Sequence, residues 1–273
     1  MMCGLTGVIL GRKRRRATER DYLADLFTGL LELNEARGPH ATGAAWVNRD
    51  GEHALIKQPM RASAFVREDD YGDFLDGIDN KTTLVIGHTR WRTRGCERNN
   101  RNNHPILASN RRGESPSTVV GSHNGTIYNA EWLATRFRMR LQTEVDSEVL
   151  VRTMAACWGP GGLEVERFCA RLGCFEGQIS AAFACKEDPG RIVLIKGNKP
   201  LSFRYHKKAR AVLYSSLEEH LDEVTAEDPA WRDLDISPMT LAIFDTEAVG
   251  EPELHPVHFR TIRRGPAKEE QAP

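Results

Sequence analysis

The amino-acid sequence predicts a single α+β domain in which helices cover two β-sheets. Helical periodicity recurs between residues 18 and 172, whereas short apolar runs bounded by turn residues follow from residue 177 onward. The 273 residues contain no internal repeat and no obvious interdomain linker. A chain of this length can bury most of its apolar surface in one core, which is sufficient for an enzyme-sized domain.

The composition argues against several classes of function. Lysine plus arginine and aspartate plus glutamate each number 38, and this neutral balance argues against a dedicated nucleic-acid or membrane-surface protein. No apolar run approaches the roughly 18 residues of a spanning helix, and no basic segment precedes an apolar one as in a signal peptide, so we expect a cytoplasmic protein. The six cysteines show no CxxC spacing, which indicates neither a zinc site nor a redox pair. We therefore expect no metal or cofactor, and mostly reduced, buried thiols.

The beginning of the chain carries the first candidate for catalysis. Cys3 follows two methionines and precedes an apolar run, Leu5 to Leu10, that predicts a buried strand. If processing exposes Cys3 as the first residue, its thiol and its α-amine form a nucleophile and a base within one residue. Because an α-amine has a pKa of about 7.7 to 8.0 and a thiol about 8.5, the amine can accept the thiol proton and return it to a leaving amine. The alternative is an ordinary initiator methionine and a core cysteine.

The next part of the chain contains two helical segments and a hairpin. In order, the predicted elements are a solvated basic turn at 12–16, a helix from Thr18 closed by Gly38, strands at 44–47 and 54–57, and an acidic helical segment at 62–77. Thr18 and Asp21 have the spacing of a helix-capping pair. A nucleic-acid contact or localisation signal is the alternative interpretation of the basic turn.

A buried strand at 82–87 leads into a polar segment that runs from His88 past Gly95 to His104. A strand that ends in a loop rich in guanidinium, hydroxyl and amide groups is typical of a scaffold that presents binding groups. Arg90 could hold a carboxylate through two parallel hydrogen bonds. The alternative is an arginine-rich surface loop that is merely solvated.

A second strand, 118–122, is followed by His123, Asn124 and Gly125. An Asn-Gly pair commonly turns a hairpin. The chemical alternative is that the side-chain amide of Asn124 and the N–H of Gly125 point to one place and hold a developing oxyanion. Gly125 has no Cβ to block that approach.

Asp146 precedes a predicted helix at 147–158, where a helix cap is the default role for an aspartate. Alternatively, its carboxylate faces the site and binds an ammonium group. The remaining predicted elements are helices at 129–138 and 163–172, strands at 177–185, 191–196, 201–205, 211–215, 240–244 and 253–259, and a short helix to His220 capped by Ser216. Cys169 and Cys174 are interpreted as core thiols, and a frayed tail is expected after the last strand.

Six ordered motifs resemble those of the class II glutamine amidotransferases. They are Cys3-Gly4-Leu5-Thr6-Gly7, Arg37-Gly38-Pro39-His40-Ala41-Thr42-Gly43, Gly87-His88-Thr89-Arg90-Trp91, Asn103-His104-Pro105, His123-Asn124-Gly125 and Val145-Asp146-Ser147-Glu148, with Gly197-Asn198-Lys199-Pro200-Leu201 and Tyr214-Ser215-Ser216 later in the chain. The resemblance covers residues 3–260 as one domain and leaves 261–273 as a flexible C-terminal tail. It implies a four-layer αββα sandwich of the N-terminal-nucleophile hydrolase type.

The resemblance also implies the chemistry and the role of each site residue. The implied reaction is hydrolysis of the glutamine side-chain amide to glutamate and ammonia. The resemblance implies that Cys3 is the nucleophile, supported by Arg37, and that Asn124 and Gly125 form the oxyanion hole. It implies that Arg90 binds the α-carboxylate of glutamine, that Asp146 binds the α-ammonium, and that Trp91 and Thr93 close over the ligand. His104 lies in the matching His-Pro segment and is counted with these substrate-binding residues. The two charged anchors agree with what a zwitterionic amino acid requires.

The sequence departs from the family pattern at two positions and at the start of the chain. His40 stands where relatives often carry aspartate, and Arg94 stands where synthase-type members often carry histidine. In addition, the doubled methionine would leave Cys3 blocked unless translation starts at Met2 or a further cleavage occurs. The mechanism therefore requires a mature chain that begins at Cys3.

The sequence leaves three functions open. The leading one is a stand-alone glutaminase that supplies ammonia to a synthase on a separate chain. The second is a hydrolase of another γ-glutamyl amide, and the third is a non-catalytic regulatory or binding module, against which the presence of Cys3 and Asn124 argues. We expect glutamine as the ligand and no membrane partner, while the arginine-rich segments leave a nucleic-acid contact open.

Overall fold

The computed structural model describes residues 3–110 and 116–261. The strands are β1 (Gly4–Leu10), β2 (Ala41–Asn48), β3 (His53–Gln58), β4 (Thr82–Arg90), β5 (Ile106–Asn110), β6 (Ser117–Ile127), β7 (Trp158–Gly159), β8 (Gly162–Leu163), β9 (Gly177–Cys185), β10 (Asp188–Lys196), β11 (Ser202–His206), β12 (Ala211–Ser215), β13 (Trp231–Asp233), β14 (Thr240–Asp245) and β15 (Glu253–Pro256). The helices are α1 (Ala17–Leu33), α2 (Ala62–Phe65), α3 (Asp69–Asp76), α4 (Ala130–Arg136), α5 (Ser147–Ala155), α6 (Val165–Leu172) and α7 (Glu218–Thr225).

Most of the strands form two antiparallel sheets. The first sheet has the order β13-β11-β12-β1-β4-β2-β3, and the second has the order β15-β14-β10-β9-β6-β5. In the first sheet β1 is central, because it pairs with β12 on one side and with β4 on the other. In the second sheet β6 pairs with β5 and β9. The predicted hairpin of β2 and β3 is confirmed by their pairing.

Three hydrophobic clusters show how the layers pack. One cluster lies between the two sheets and includes Leu5 and Ile9 of the first and Ala182 and Leu194 of the second. A second cluster joins the first sheet to the helices on its outer face, through α1, α2, α3 and α7. The third joins the second sheet to α4, α5 and α6. The layers confirm an α+β fold with αββα order, as the resemblance implies.

The interpretation of the basic run 12–16 as a solvated turn is wrong for one residue. Arg15 is buried, and its guanidinium Nη2 donates hydrogen bonds to the carbonyl oxygens of Gly11, Ala209 and Arg210. These carbonyls replace the water that the charge loses on burial. Arg15 therefore ties the end of β1 to the turn before β12.

Two predicted helix caps are also wrong. Helix α1 begins one residue before Thr18, and the backbone N–H of Arg16 donates to the carboxylate of Glu19 at 3.1 Å. Ser216 does not cap α7, whose cap position is Leu217. The hydroxyl of Ser216 is turned instead toward the start of β1, where it contributes to the site described below.

Strands β4 and β6 extend further than the sequence predicts. His88 and Arg90 belong to β4, and Asn124 and Gly125 belong to β6. The hairpin interpretation of the Asn-Gly pair is therefore wrong, since the chain continues straight through it in register with β9. The arginine-rich surface interpretation is wrong for Arg90, which is buried.

Several other predictions can be compared with the described residues. Cys157 and Cys185 are buried and Cys169 and Cys174 are partly buried, whereas Cys96 is exposed, and every described cysteine is a free thiol. In the described ranges, no helix is both long and apolar enough to cross a membrane. The doubled methionine and residues 262–273 of the expected tail lie outside the described residues.

Candidate active site

Cys3 lies just before the central strand β1 and opens onto a cavity of about 70 Å³. Its Sγ atom accepts a hydrogen bond from the backbone N–H of Trp91 at 3.2 Å. Its carbonyl oxygen accepts hydrogen bonds from Arg37 Nε at 3.0 Å and from Asn124 Nδ2 at 2.9 Å. The cysteine is thus held by three residues that are distant in the sequence.

Six of the nine residues predicted for the site line this cavity: Cys3, Arg37, Trp91, Thr93, Asn124 and Gly125. The other three, Arg90, His104 and Asp146, do not line it in this structure. The chain therefore brings the predicted nucleophile, oxyanion donors and closing loop together, while the predicted anchors for the amino-acid head, Arg90 and Asp146, are not part of the cavity lining.

The environment of the thiol favours its protonated form. Burial raises the pKa of Cys3 above its ordinary value. The Trp91 N–H and the positive charges of Arg90 and Arg37 lower this pKa, while the negative charge of Asp146 raises it. Because burial has the largest effect, a base is needed to form the thiolate near neutral pH.

Asn124 reaches from β6 of the second sheet to the start of β1 in the first. Its Nδ2 donates one hydrogen bond to Cys3 O and another, at 2.7 Å, to Ser216 Oγ. Ser216 Oγ also accepts a hydrogen bond from the backbone N–H of Leu5 at 2.9 Å. A primary amide has two N–H donors, so both are occupied in this structure.

Gly125 occupies a position that only glycine tolerates. Its φ is +141°, and a Cβ placed on it would lie 1.8 Å from the carbonyl oxygen of Gln178. The absence of a side chain keeps β6 paired with β9 at this point and leaves the backbone of Gly125 accessible from the cavity.

Arg90 is buried at the end of β4, and its guanidinium holds the following loop. Nη1 donates to Asn103 Oδ1 at 2.7 Å, and Nη2 donates to the carbonyl oxygens of Arg94 and, at 3.0 Å, Gly95. Arg90 is therefore engaged with protein atoms, and a carboxylate would have to replace some of them.

The loop after β4 is supported at both of the positions that depart from the family pattern. Nδ1 of His40 accepts a hydrogen bond from the backbone N–H of Arg92 at 3.0 Å. The ring of His40 also packs on Trp91 with centroids 4.7 Å apart. The side chain of Arg94 forms an ion pair of 2.8 Å with Glu131 on α4.

Asp146 does not cap α5, so the default interpretation of this residue is wrong. Its carboxylate makes no capping hydrogen bond, and Oδ2 instead accepts one from the backbone N–H of Ile127 at 2.5 Å. Ile127 is the last residue of β6, so Asp146 joins α5 to the strand that carries Asn124. Asp146 as a whole is 6% exposed, so little of it is accessible to a ligand in this conformation.

His104 is buried and does not line the cavity. Its ring packs against that of His88 with centroids 4.3 Å apart, and both rings are buried. Burial lowers the pKa of His88 to about 3, and burial together with His88 lowers the pKa of His104 well below its ordinary value. Both histidines are neutral at physiological pH.

The cavity includes three residues that the sequence interpretation did not select: Thr126, Gln178 and Lys199. Burial and the nearby charge of Arg37 lower the pKa of Lys199, whereas Cys3 raises it. Lys199 and Arg37 thus place two positive side chains beside the thiol. The motif from Gly197 to Leu201 contains Lys199 and was the one available signal for it.

The described residues contain no group of three or more histidine, cysteine, aspartate or glutamate side chains that could hold a metal ion. The polar atoms that surround Cys3 are amide, hydroxyl and guanidinium donors. Such groups are suited to bind a carbonyl oxygen or a carboxylate.

Known proteins resemble this chain in sequence and in fold. No protein-family model matches the sequence. The glutamine–fructose-6-phosphate aminotransferase (isomerizing) of Staphylococcus aureus is 31% identical over 202 residues, which cover 73% of this chain and 30% of that protein. The enzyme of the same name from Symbiobacterium thermophilum is 32% identical over 204 residues, which cover 73% of this chain and 29% of that protein.

A solved structure supports the fold over almost the whole chain. The glutamine phosphoribosylpyrophosphate amidotransferase of B. subtilis superposes with a TM-score of 0.66 at 19% identity, covering 93% of this chain and 49% of that one. At this identity the likeness shows that the two chains share a fold. The chain spans 30% of the length of the aminotransferase from S. aureus.

Proposed function

The chain belongs to the class II glutamine amidotransferases, which are N-terminal-nucleophile hydrolases, and we propose that it hydrolyses the side-chain amide of glutamine to glutamate and ammonia. One observation carries the proposal: the thiol of Cys3 opens onto the same cavity as Asn124 and Gly125. A nucleophile and two candidate oxyanion donors that converge on one small cavity are the arrangement that acyl transfer requires.

In the proposed first step, the α-amine of a mature chain that begins at Cys3 takes the thiol proton. The thiolate attacks the side-chain carbonyl carbon of glutamine, and the carbonyl π electrons move to oxygen. The C–N bond then breaks as the protonated α-amine gives its proton to the leaving nitrogen, so ammonia leaves and a thioester remains. Water attacks the thioester, releases glutamate and returns the proton to sulfur.

Asn124 has to exchange one partner during this reaction. Both of its Nδ2 hydrogens are engaged, with Cys3 O and Ser216 Oγ. We propose that the bond to Cys3 O is exchanged for one to the developing oxyanion, while Ser216 keeps the amide in place. The N–H of Gly125 would supply the second donor.

Binding of the glutamine head requires the loop to rearrange. In the proposal Arg90 binds the α-carboxylate after releasing Arg94 O and Gly95 O, and Asp146 binds the α-ammonium. Trp91 and Thr93 then close over the ligand. Support comes from electrostatics, since the charges of Arg90 and Asp146 both act on the pKa of Cys3 and therefore lie near the sulfur.

We further propose that the ammonia is used by a synthase on a separate chain and that the reaction takes place in the cytoplasm. The names of the aminotransferases that resemble this chain give glutamine as the nitrogen donor and fructose 6-phosphate as the acceptor. Glutamine hydrolysis should be slow for the isolated chain and should rise when the synthase is added. Fast turnover that no co-purifying protein changes would contradict this part of the proposal.

The central test replaces the sulfur. Cys3→Ala should abolish glutamate production from glutamine, and Cys3→Ser should reduce it severely, while both variants keep the thermal unfolding temperature of the parent. The mass of the N-terminal peptide of active protein should correspond to a chain that begins at Cys3. Full activity with Met2 still attached, or in Cys3→Ala, would refute the mechanism. Assays with other γ-glutamyl amides in parallel would show whether glutamine is the preferred substrate.

A further inference from the structure

A second cavity, of about 790 Å³, lies on the outer face of the second sheet, among its helices. Five arginines line it: Arg138, Arg140, Arg152, Arg167 and Arg171. Among the described residues that line this arginine cavity there is no aspartate or glutamate. Such a concentration of guanidinium groups is unexpected in a chain whose formal net charge is zero.

Two of these arginines are held by carboxylates beside the cavity. Arg152 Nε lies 2.6 Å from Glu148, and Arg167 Nη1 lies 2.7 Å from Glu164. The carboxylate of Glu148 is buried and also accepts hydrogen bonds from the backbone N–H of Gln142, which fixes one wall. The two ion pairs therefore fix the positions of Arg152 and Arg167 in the cavity wall, and both guanidinium groups contribute positive charge there.

Arg140 and Arg171 form no ion pair with any described residue. Arg171 is partly buried, and its guanidinium carbon lies 5.2 Å from the ring centroid of Phe137. This cation–π contact orients Arg171 without neutralising its charge. The two guanidinium groups are therefore available to an anion in the same cavity.

The shape of the cavity indicates the kind of anion. Its volume is within the range of about 300 to 1,000 Å³ that is usual for small-molecule sites. Leu107, Phe137 and Met139 supply apolar surface, and Leu107 is 42% exposed, which is high for a leucine on a strand. A nucleic-acid chain would instead need an open basic surface along its backbone.

We infer that the arginine cavity binds a small molecule that carries at least two phosphoryl groups. Guanidinium groups match the oxygens of phosphate through paired hydrogen bonds, and several of them in one cavity suit more than one phosphoryl group. The apolar residues accommodate the uncharged remainder of the ligand. This site is separate from the cavity at Cys3, and its occupation does not depend on glutamine hydrolysis.

The test is calorimetric titration of inorganic pyrophosphate into the full-length protein at low and at physiological salt. The parent protein should bind one pyrophosphate per chain, and more tightly than inorganic phosphate. The double variant R140Q/R171Q should bind at least tenfold more weakly. Exposed Arg14 lies outside the cavity, so R14Q serves as the matched control and should bind as the parent does.

Two further variants separate this inference from the proposed function and from loss of folding. Ser109→Glu adds a negative charge at an exposed position of the cavity wall, and it should weaken pyrophosphate binding without lowering thermal stability. Cys3→Ala should bind pyrophosphate normally, even though it cannot hydrolyse glutamine. No binding of pyrophosphate at millimolar concentration would overturn the inference, and so would binding that R140Q/R171Q leaves unchanged.

Discussion

Replacing Ser216 by alanine should separate the positioning of Asn124 from the rest of the site. In the folded protein Ser216 Oγ accepts hydrogen bonds from Asn124 Nδ2 and from the backbone N–H of Leu5. A buried donor left without a partner costs about 1–3 kcal/mol, so the two donors together should lower the free energy of unfolding by about 2–6 kcal/mol. The Asn124 amide would also lose the contact that holds it while its other hydrogen moves to the oxyanion.

The kinetic consequence should appear in kcat. Complete loss of an oxyanion donor costs about 100- to 1,000-fold in kcat, and a misplaced donor should cost at least about tenfold, with a small change in KM for glutamine. Glutamate formation at saturating glutamine measures this effect, and urea unfolding measures the stability.

The neighbouring serine provides a matched control for this substitution. Ser215 Oγ is also buried and accepts a hydrogen bond from Asn34 Nδ2 at 3.1 Å, but it does not contact Asn124. Ser215→Ala should therefore lower stability while kcat stays near that of the parent. Equal kcat values for the folded Ser216→Ala and Ser215→Ala variants would refute the positioning role of Ser216.

Three other outcomes are expected. Gly125→Ala should abolish glutamine hydrolysis and destabilise the fold, because its Cβ would lie 1.8 Å from the carbonyl oxygen of Gln178. Circular dichroism and the glutamine assay test this, and a variant that is both stable and active would contradict it. Glu144→Gln should raise the KM for glutamine several-fold and leave kcat nearly unchanged. The reason is that the Glu144 carboxylate accepts hydrogen bonds that tie the loop after β4 to residues 142–145. Steady-state kinetics measure both constants. Acid should destabilise the protein, since burial lowers the pKa of His88 to about 3 and lowers the pKa of His104 well below its ordinary value. Below a pH of about 6.5 the unfolded state binds more protons than the folded state. The free energy of unfolding should therefore fall, as the pH is lowered, by up to about 1.4 kcal/mol per pH unit for each histidine. Urea titrations of the parent and of His88→Gln between pH 4 and 7 test this.

The sequence predicts most helices and strands in their order because these elements have clear apolar periodicity, but it misses the short strands β5, β7, β8 and β13. It fails at the ends of β4 and β6, where His88, Arg90 and Asn124 were interpreted as loop residues. Polar side chains normally indicate exposure, but these lie in strands covered on both faces and are buried. Asn124 finds its partners, Cys3 O and Ser216 Oγ, at the start of β1 and after β12 of the other sheet, whereas Arg90 bonds the loop that follows its own strand. A single sequence contains no signal for which of these contacts form.

The basic run at 12–16 illustrates a related limit of charge patterns. Four of its five residues are exposed or partly exposed, as a solvated turn requires, but Arg15 is buried among main-chain carbonyls. Which member of a charged run becomes buried depends on where unpaired carbonyl groups lie in the folded chain. Lys199 was missed for a related reason, because the cavity that it lines forms only when the two sheets pack against each other.

The site itself depends on strand register, which a sequence specifies only indirectly. Gly4 of β1 lies opposite Thr89 of β4, and this pairing brings Cys3 to the backbone of Trp91. A shift of one residue would turn every side chain of β1 to the opposite face and remove that contact. Asn124 must in addition reach Cys3 from the second sheet, so its position depends on how the two sheets pack. It follows that loosening the core between the sheets should impair the nucleophile and the oxyanion donor together, even where the substituted residue touches neither.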